Sequence, residues 1–557
     1  MLKDIIPVES AMLQVDYFVP VHIIASEKCT QQEILLKHHS GQATVSDVKG
    51  CCCIAPNGWL LLDFGQEIHG GIELVSGTFP GVPFDGDVDK GIHLHVTFGE
   101  SVSEAFSTPD YCHATQNMEI KVVPWSTVPC GELGFRFVRI VNVDSKDYFV
   151  QGVRARFIHR DLHRSASFES SDPVLNQIWE TAADTLELCM QRYLVDGIKR
   201  DRLVWMGDMY PEIVTCGLLY GKQKIVEESL DFIRDHTPLP EFMNGMFAYT
   251  LWWILSHRCW FRYFTDLAYL EQQHEYLIGI VKMFEQMIDG NGEPKPENFG
   301  ILDWASNYKN GDSSPGLKAL FSIAMRAATE LLNLLNDPEN AEKAEVMANA
   351  IRPQPVTPSV SGNALQVLAG LRPPEEMYNT FFKKVLPHGL STFLGCIALD
   401  ACVKAKHKKE ALEHLKQYWG GMLALGATSF WEHFDLEWME NAARIDEIVL
   451  SGKRDVHLEC GTGCFKGFRN SYCHGWSCQP AEWLIRNILG LTFVSSNTVS
   501  FTPDLCGLEY ANGRLMTSYG EISIELTAGK KMQLILPKGI HCCDSKKTES
   551  MQKVIFQ

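Results

Sequence analysis

The stretch Asp196-Gly-Ile-Lys-Arg-Asp-Arg-Leu-Val-Trp-Met-Gly-Asp208 packs three carboxylates (Asp196, Asp201, Asp208), two guanidinium groups (Arg200, Arg202) and the indole of Trp205 into one short segment. Gly197 and Gly207 mark it as a loop, and loops on a rigid scaffold carry function more often than the elements they join. These residue types together suit sugar chemistry. Carboxyl groups supply an acid and a base, charged side chains fix hydroxyls through directional hydrogen bonds, and an indole stacks on the apolar face of a pyranose. A solvated ion-pair loop has no use for a tryptophan among its charges.

A second carboxylate stands in different company. In Gly426-Ala-Thr-Ser-Phe-Trp-Glu-His-Phe-Asp435, Glu432 is flanked by Trp431, His433 and Phe434. Aromatic neighbours desolvate a carboxylate, which raises its pKa unless other groups hold it ionised as a base. Two shorter segments add to the set: Asp303-Trp304 pairs an acid with an indole, and Asn470-Ser-Tyr-Cys-His-Gly-Trp476 sets His474 and Trp476 just ahead of a long helix.

Three regions must position these residues. Up to about residue 165 the chain reads as short strands such as Ile92-His-Leu-His-Val-Thr-Phe98 and Phe135-Arg-Phe-Val-Arg-Ile-Val-Asn-Val143, punctuated by Gly77, Pro80, Gly81, Pro83 and Gly86. This predicts an antiparallel β-sandwich over 1–165. Ser171-Asp-Pro173 then signals a helix start. Apolar residues recur at helical spacing over 174–190, 211–221, 223–235, 247–264, 267–289, 315–336, 338–351, 361–371, 374–385, 391–406, 408–422 and 477–489. That predicts a large all-α domain over 166–490 with no 34- or 40-residue repeat of a solenoid. Alternating segments after Gly490 predict a small β-domain over 491–557.

The bulk properties exclude several classes. A net charge of −18 with no basic run argues against nucleic acid and anionic membranes as partners. Met1–Ser10 lacks the apolar run of a secretory signal, since Asp4 and Glu9 interrupt it. No stretch is long and apolar enough to cross a membrane. The 18 cysteines show no recurrent zinc spacing. Cys460, Cys464, Cys473 and His457 come nearest to a cluster, and free thiols in a reducing compartment account better for them. The expectation is a cytoplasmic protein without metal or other cofactor.

The spacing of Asp196, Arg200, Asp201, Arg202, Trp205, Gly207 and Asp208 resembles the signature of the bacterial α-L-rhamnosidases of glycoside hydrolase family 78. Gly426 to Glu432 resembles that family's second acidic motif, and Ser471 to His474 ahead of Glu482-Trp-Leu484 resembles a third. Asp63-Phe-Gly-Gln66 and Phe135 to Arg139 resemble strands of its N-terminal domain.

The resemblance implies a multidomain, mainly α fold: an (α/α)6 barrel flanked by an N-terminal antiparallel β-sandwich and a small C-terminal β-domain. It implies hydrolysis of terminal α-L-rhamnosides with inversion, with Asp201 as general acid and Glu432 as general base. Asp196, Arg200, Arg202, Asp208, Asp303 and His474 would hold sugar hydroxyls. Trp205, Trp253, Trp304, Trp431 and Trp476 would line the apolar faces of the ring. The substrate would be a small rhamnose-containing glycoside, and a homodimer is compatible with the class. The family carries Glu at the acid position. Asp201 reaches roughly 1.2–1.5 Å less, so its loop is expected to sit closer to the scissile bond. Two other readings compete: a related hydrolase for another sugar or a uronide, whose carboxylate Arg200 and Arg202 would meet, and a sugar-binding protein without catalysis.

Overall fold

The computed structural model describes residues 13–45, 48–80, 91–107, 116–295, 300–304, 313–530, 532–543 and 552–556. Met1–Ser10 and the turn residues Gly81, Pro83 and Gly86 lie outside them.

The N-terminal region is one seven-stranded sheet in the order β1 (Leu13–Phe18), β7 (Tyr148–Arg160), β3 (Cys52–Ser76), β6 (Thr127–Asn142), β4 (Ile92–Gly99), β5 (Gln116–Val122), with β2 (His22–Thr30) added on β3. β3 is 25 residues long and its register against β6 shifts between Asp63 and Ile68. Gly65 takes φ +82° there, and the strand changes partners across it. Its first half pairs β2, and its second half pairs β7 with Gly70 opposite Phe157 and Val75 opposite Gly152, so these strands too run antiparallel. Every strand pairing of this sheet among the described residues is antiparallel, as expected. The buried face carries Leu60, Leu62, Ile72, Leu94, Val96 and Phe135, a core separate from that of the helices.

The helices follow in outer and inner pairs: α1 (Pro173–Cys189) with α2 (Met206–Leu219), α3 (Lys224–Asp235) with α4 (Phe247–Phe264), α5 (Leu267–Met287) with α6 (Ser314–Leu334), α7 (Pro338–Ala350) with α8 (Val360–Leu368), α9 (374–385) with α10 (Gly395–Lys404), and α11 (Lys408–Ala424) with α12 (Pro480–Leu484, continuing to Leu489). Burial separates the two sets. α4 is buried at every position from Phe247 to His257, whereas α3 buries only Ile225, Val226, Ser229, Leu230 and Ile233. A helix apolar on all sides belongs inside, and one with a single apolar stripe belongs outside. The inner helices pack in sequence, α2 on α4, α4 on α6, α6 on α8 and α8 on α10. α12 returns to α2, and Arg486 ties it to Asp400 of α10 at 3.0 Å.

One helix start moves in a way that matters to the site. The apolar spacing starts at 211, yet α2 begins five residues earlier, at Met206, with Pro211 inside. The cap comes from elsewhere: Asn244 Oδ1 accepts from the Met206 amide at 2.9 Å. Asp208 thereby sits in the first turn, where the helix dipole favours a negative charge.

At the C-terminal end, β15 (Gln552–Phe556), β13 (Met532–Leu536), β12 (Gly520–Thr527) and β11 (Tyr510–Thr517) form a sheet whose last strand is β8 (Ala166–Ser170). A segment placed at the start of the helical domain thus closes the C-terminal sheet. Its five-residue alternation carries no information about so distant a partner.

Candidate active site

Asp196, Asp208, Glu432 and His474 converge at the N-terminal end of α2, all almost fully buried. Backbone pairing assembles them. Gly197 bridges His474, the Gly475 amide donates to Asp196 O at 2.7 Å, and the Glu432 amide donates to Ser471 O at 2.8 Å. Three segments far apart in sequence are thus laced into one floor.

Asp208 accepts the Tyr249 hydroxyl on Oδ1 at 2.7 Å and faces His474 Nε2 from Oδ2 at 3.0 Å. Burial lowers the His474 pKa, but the charges of Glu432 and Asp208 more than reverse this and hold it above its ordinary value. Asp196 accepts the Leu203 amide at 2.8 Å. Its pKa is well above the carboxylate range, because burial and the Asp208 charge outweigh His474. One carboxyl of the cluster is thus set to donate while its neighbour accepts.

Glu432 is held ionised. Burial pushes its pKa up, yet Arg200, His474 and the Ser471 amide together bring it below the ordinary value. Oε2 accepts from Ser471 N at 3.0 Å and pairs with Arg200 Nη2. The other amino nitrogen, Arg200 Nη1, is 3.4 Å from Asp201 Oδ1. One guanidinium therefore bridges the two carboxylates. Its two Nη atoms are held about 2.3 Å apart, so Asp201 Oδ1 and Glu432 Oε2 lie within roughly 8 Å of each other.

Asp201 differs from the rest. Its side chain is 39% exposed, and both it and Arg202 take left-handed backbone conformations, φ +55° and +53°. Asp tolerates that region better than most residues, whereas for Arg it costs about 1–2 kcal/mol. Such local strain concentrates at functional sites.

The remaining expected residues divide. Trp205 meets Tyr249 edge-on at 6.2 Å, and Trp304 hydrogen-bonds the same Tyr249 hydroxyl, so both indoles border Asp208. Asp303 accepts from Ser361 and Ser391, and the next residue, Thr392, donates to the Glu432 carbonyl. Trp253 is not brought to the cluster. It lies between His257 and Tyr276, on the side of α4 facing α3 and α5, while Trp252 points inward to Tyr210 and Phe393. Both stand on α4 within one turn of Tyr249, and only packing chooses between them. Trp431 and Trp476 are buried behind Glu432: the first stacks on Tyr472 at 4.0 Å, and the second stacks on Phe393 and donates to the Glu432 carbonyl. Trp476 thus holds the Glu432 backbone, and both rings are fully packed. Arg202 turns to the β-domain and donates to Glu132 O at 2.8 Å.

Reading the sequence missed Tyr249 and Glu212. Nothing in the segment around Tyr249 marks it. Glu212 carried a signal, since it stands one turn after Asp208 on the same helix face. It is fully buried, neither carboxylate oxygen has a hydrogen-bond partner, and burial with the Asp208 and Asp196 charges drives its pKa well up.

Gly207 is required by close approach: a Cβ there would lie 2.2 Å from Tyr249 Cε1. Gly207→Ala is expected to displace the tyrosine from Asp208, to cost about 1–3 kcal/mol of stability by overpacking, and to raise KM about tenfold. Thermal melts and steady-state kinetics check this.

A cavity of about 410 Å³ opens among the C-terminal halves of the inner helices, lined in part by Leu218, Leu255, Arg258, Asp400 and Arg486. Its carboxylates Asp400 and Glu482 are both spent on Arg486, leaving no acid–base pair. Glu100, Glu104 and His457 lie close enough to hold a cation, but the Lys199 ammonium fills that place, 2.8 Å from Glu100 and 3.2 Å from Glu104. Among the described residues, Cys460, Cys464 and Cys473 are not gathered with His457, and no disulfide forms.

Paired helices ringing a buried carboxylate cluster, with flanking β-domains, make this a six-hairpin glycosidase fold. More particularly, residues 163–353 match the family model of the bacterial alpha-L-rhamnosidase six-hairpin glycosidase domain. The chain is similar in structure to the GH78 family rhamnosidase of Bacillus sp. GL1, with TM-score 0.69 and 20% identity over 90% of this chain and 53% of that one. It is also similar to the rhamnosidase from Klebsiella oxytoca with rhamnose bound, with TM-score 0.65 and 18% identity over 85% and 96% of the two chains. A third likeness is to Streptomyces avermitilis alpha-L-rhamnosidase complexed with L-rhamnose, with TM-score 0.61 and 17% identity over 87% and 47%. The chain thus spans about half the length of the Bacillus and Streptomyces enzymes and nearly all of the Klebsiella one. At these identities the likeness establishes a shared fold. No curated protein sequence matches the chain.

Proposed function

We propose that this chain is an α-L-rhamnosidase that hydrolyses small terminal rhamnosides with inversion, its helix pairs closing into an (α/α)6 barrel. The observation that carries the reading is the Arg200 guanidinium joining Asp201 to the buried Glu432 inside the segment pattern of the rhamnosidase motif. The bound of roughly 8 Å on that pair is compatible with the separation of roughly 6.5–9.5 Å at which an inverting pair admits water. In this reading Asp201 gives its proton to the leaving glycosidic oxygen as the C1–O bond breaks. Glu432 takes a proton from the water whose oxygen bonds C1 from the other face. Asp196, Asp208, His474 and Tyr249 hold ring hydroxyls, and Trp205 and Trp304 border the apolar face and methyl group. The Klebsiella and Streptomyces enzymes, which hold rhamnose, support the sugar assignment.

A uronide hydrolase would need free guanidinium groups for the substrate carboxylate. Arg200 is committed to Glu432 and Asp201, and Arg202 to Glu132. We place the enzyme in the cytoplasm. Among the described residues no helix is long and apolar enough to cross a membrane.

A panel of p-nitrophenyl glycosides tests the assignment. The α-L-rhamnoside is expected to be cleaved at least 100-fold faster than the α-D-glucoside, α-D-mannoside and β-D-glucuronide. Preference for the glucuronide, or no cleavage of the rhamnoside, would overturn it.

A further inference from the structure

The N-terminal β-domain reaches into every loop that bears the acid and the base. Lys199, next to Arg200, is 1% exposed, and its ammonium lies between the fully buried carboxylates of Glu100 and Glu104, both from the β-domain. The same ammonium donates to Phe468 O at 2.7 Å and Asn470 O at 3.1 Å. Glu100 then accepts the Tyr472 amide on Oε2 at 2.7 Å and the Ser471 hydroxyl on Oε1 at 3.4 Å. Ser471 is the residue whose amide bonds Glu432. Behind this network, Glu104 accepts the Glu100 amide at 2.7 Å, and Ser101 Oγ meets His457 Nδ1 at 2.7 Å. The third loop is held as well: Arg136 donates to Gly426 O at 3.0 Å, and Thr428 Oγ1 accepts the Glu67 amide at 2.9 Å.

We propose that Lys199 and Glu100, clamped with Glu104 across the domain boundary, are positioning residues that set the register between the Asp201 loop and the Ser471–Glu432 segment, making the β-domain part of the catalytic apparatus. The chemistry favours a specific clamp over a general adhesive. A buried ammonium must satisfy all its donors, and here they go to two domains and two loops at once. Burial lowers the Lys199 pKa, but Glu100 and Glu104 more than restore it, so the ammonium stays charged. The ring-binding groups Asp208, His474 and Tyr249 bond one another, the Asp196 carboxyl accepts the Leu203 amide, and none of the four bonds Lys199, Glu100 or Glu104. Loosening the clamp should therefore misplace acid against base while leaving substrate contacts in place. A shift of about 1 Å at reacting groups costs on the order of 100-fold in rate.

The proposal rests on the hydrolase reading for its rate measurement, and amide exchange provides a second readout that does not. In the full chain, Lys199→Met is expected to lower kcat on p-nitrophenyl α-L-rhamnoside about 10–100-fold with KM changed less than about threefold. Glu100→Gln, isosteric and able to fold if Lys199→Met is not, should lower kcat about tenfold and speed hydrogen exchange over residues 468–476. Arg164→Ala, which removes a boundary ion pair to Glu180 Oε2 at 2.6 Å without touching these loops, should leave kcat and exchange unchanged. Folded Lys199→Met or Glu100→Gln protein with native kcat and native exchange would overturn the proposal. If the unmodified chain cleaves no rhamnoside, the hydrolase reading fails, and exchange in Glu100→Gln alone decides the clamp.

Discussion

Glu432→Gln is expected to remove turnover by at least 1,000-fold on p-nitrophenyl α-L-rhamnoside while leaving the binding of rhamnose measurable by calorimetry. Gln keeps the shape and one acceptor, but it cannot take a proton from water, and a positioned general base contributes about 10²–10⁴ in rate. The same residue sets the acid side of the pH profile. Burial raises its pKa, and Arg200, His474 and the Ser471 amide outweigh that, so the folded value is depressed. A depressed carboxylate is ionised, and its pairing stabilises the fold, at every pH above its unfolded value of about 4.3. Both activity and this stabilisation are lost as pH falls through the folded value. The acid limb of kcat/KM should therefore lie below about pH 4.3 until acid unfolding intervenes. An acid limb near pH 6 would assign that step to another group.

Asp201→Asn is expected to discriminate between leaving groups. An acid matters most where the departing oxygen is basic, so cleavage of an alkyl rhamnoside should fall by about 10³ or more, and that of a dinitrophenyl rhamnoside by about tenfold or less. Equal losses on both substrates would remove Asp201 from the acid role. Asp201→Glu should keep activity within about tenfold. It restores reach, but places a longer side chain at a backbone φ of +55°, where Asp is tolerated better. The left-handed turn gives a physical reason for the shorter acid here: the loop geometry and the residue type agree.

The helical domain was legible because its signals are local. Asp172 and Pro173 announced α1, and the cap forms as read, with Asp172 accepting the Val174 amide at 2.9 Å. The start of α2 at Met206 is not local in this sense, because Asn244 arrives from another loop to cap it. Loop 196–208 was legible as a carboxylate-rich loop from its composition, and the motif supplied roles. Which side chains meet was not legible. Tyr249 reaches Asp208, Trp252 turns inward instead of Trp253, and Trp431 and Trp476 are spent on packing, because one residue of helical phase or one strand register decides each case. The cross-domain clamp was equally hidden: Glu100 and Glu104 fall just past the alternating segment 92–98, and a lysine beside an arginine in a charged loop gives no hint that it is fully buried.

The proposed roles of Asp201 and Glu432 require inversion at the rhamnose anomeric carbon. Proton NMR of the first minutes of p-nitrophenyl α-L-rhamnoside hydrolysis tests it most directly, because the anomer released appears before mutarotation mixes the two. β-L-Rhamnose is expected first, with the α-anomer growing in later. Release of α-L-rhamnose first would contradict inversion and make the pair a nucleophile and an acid.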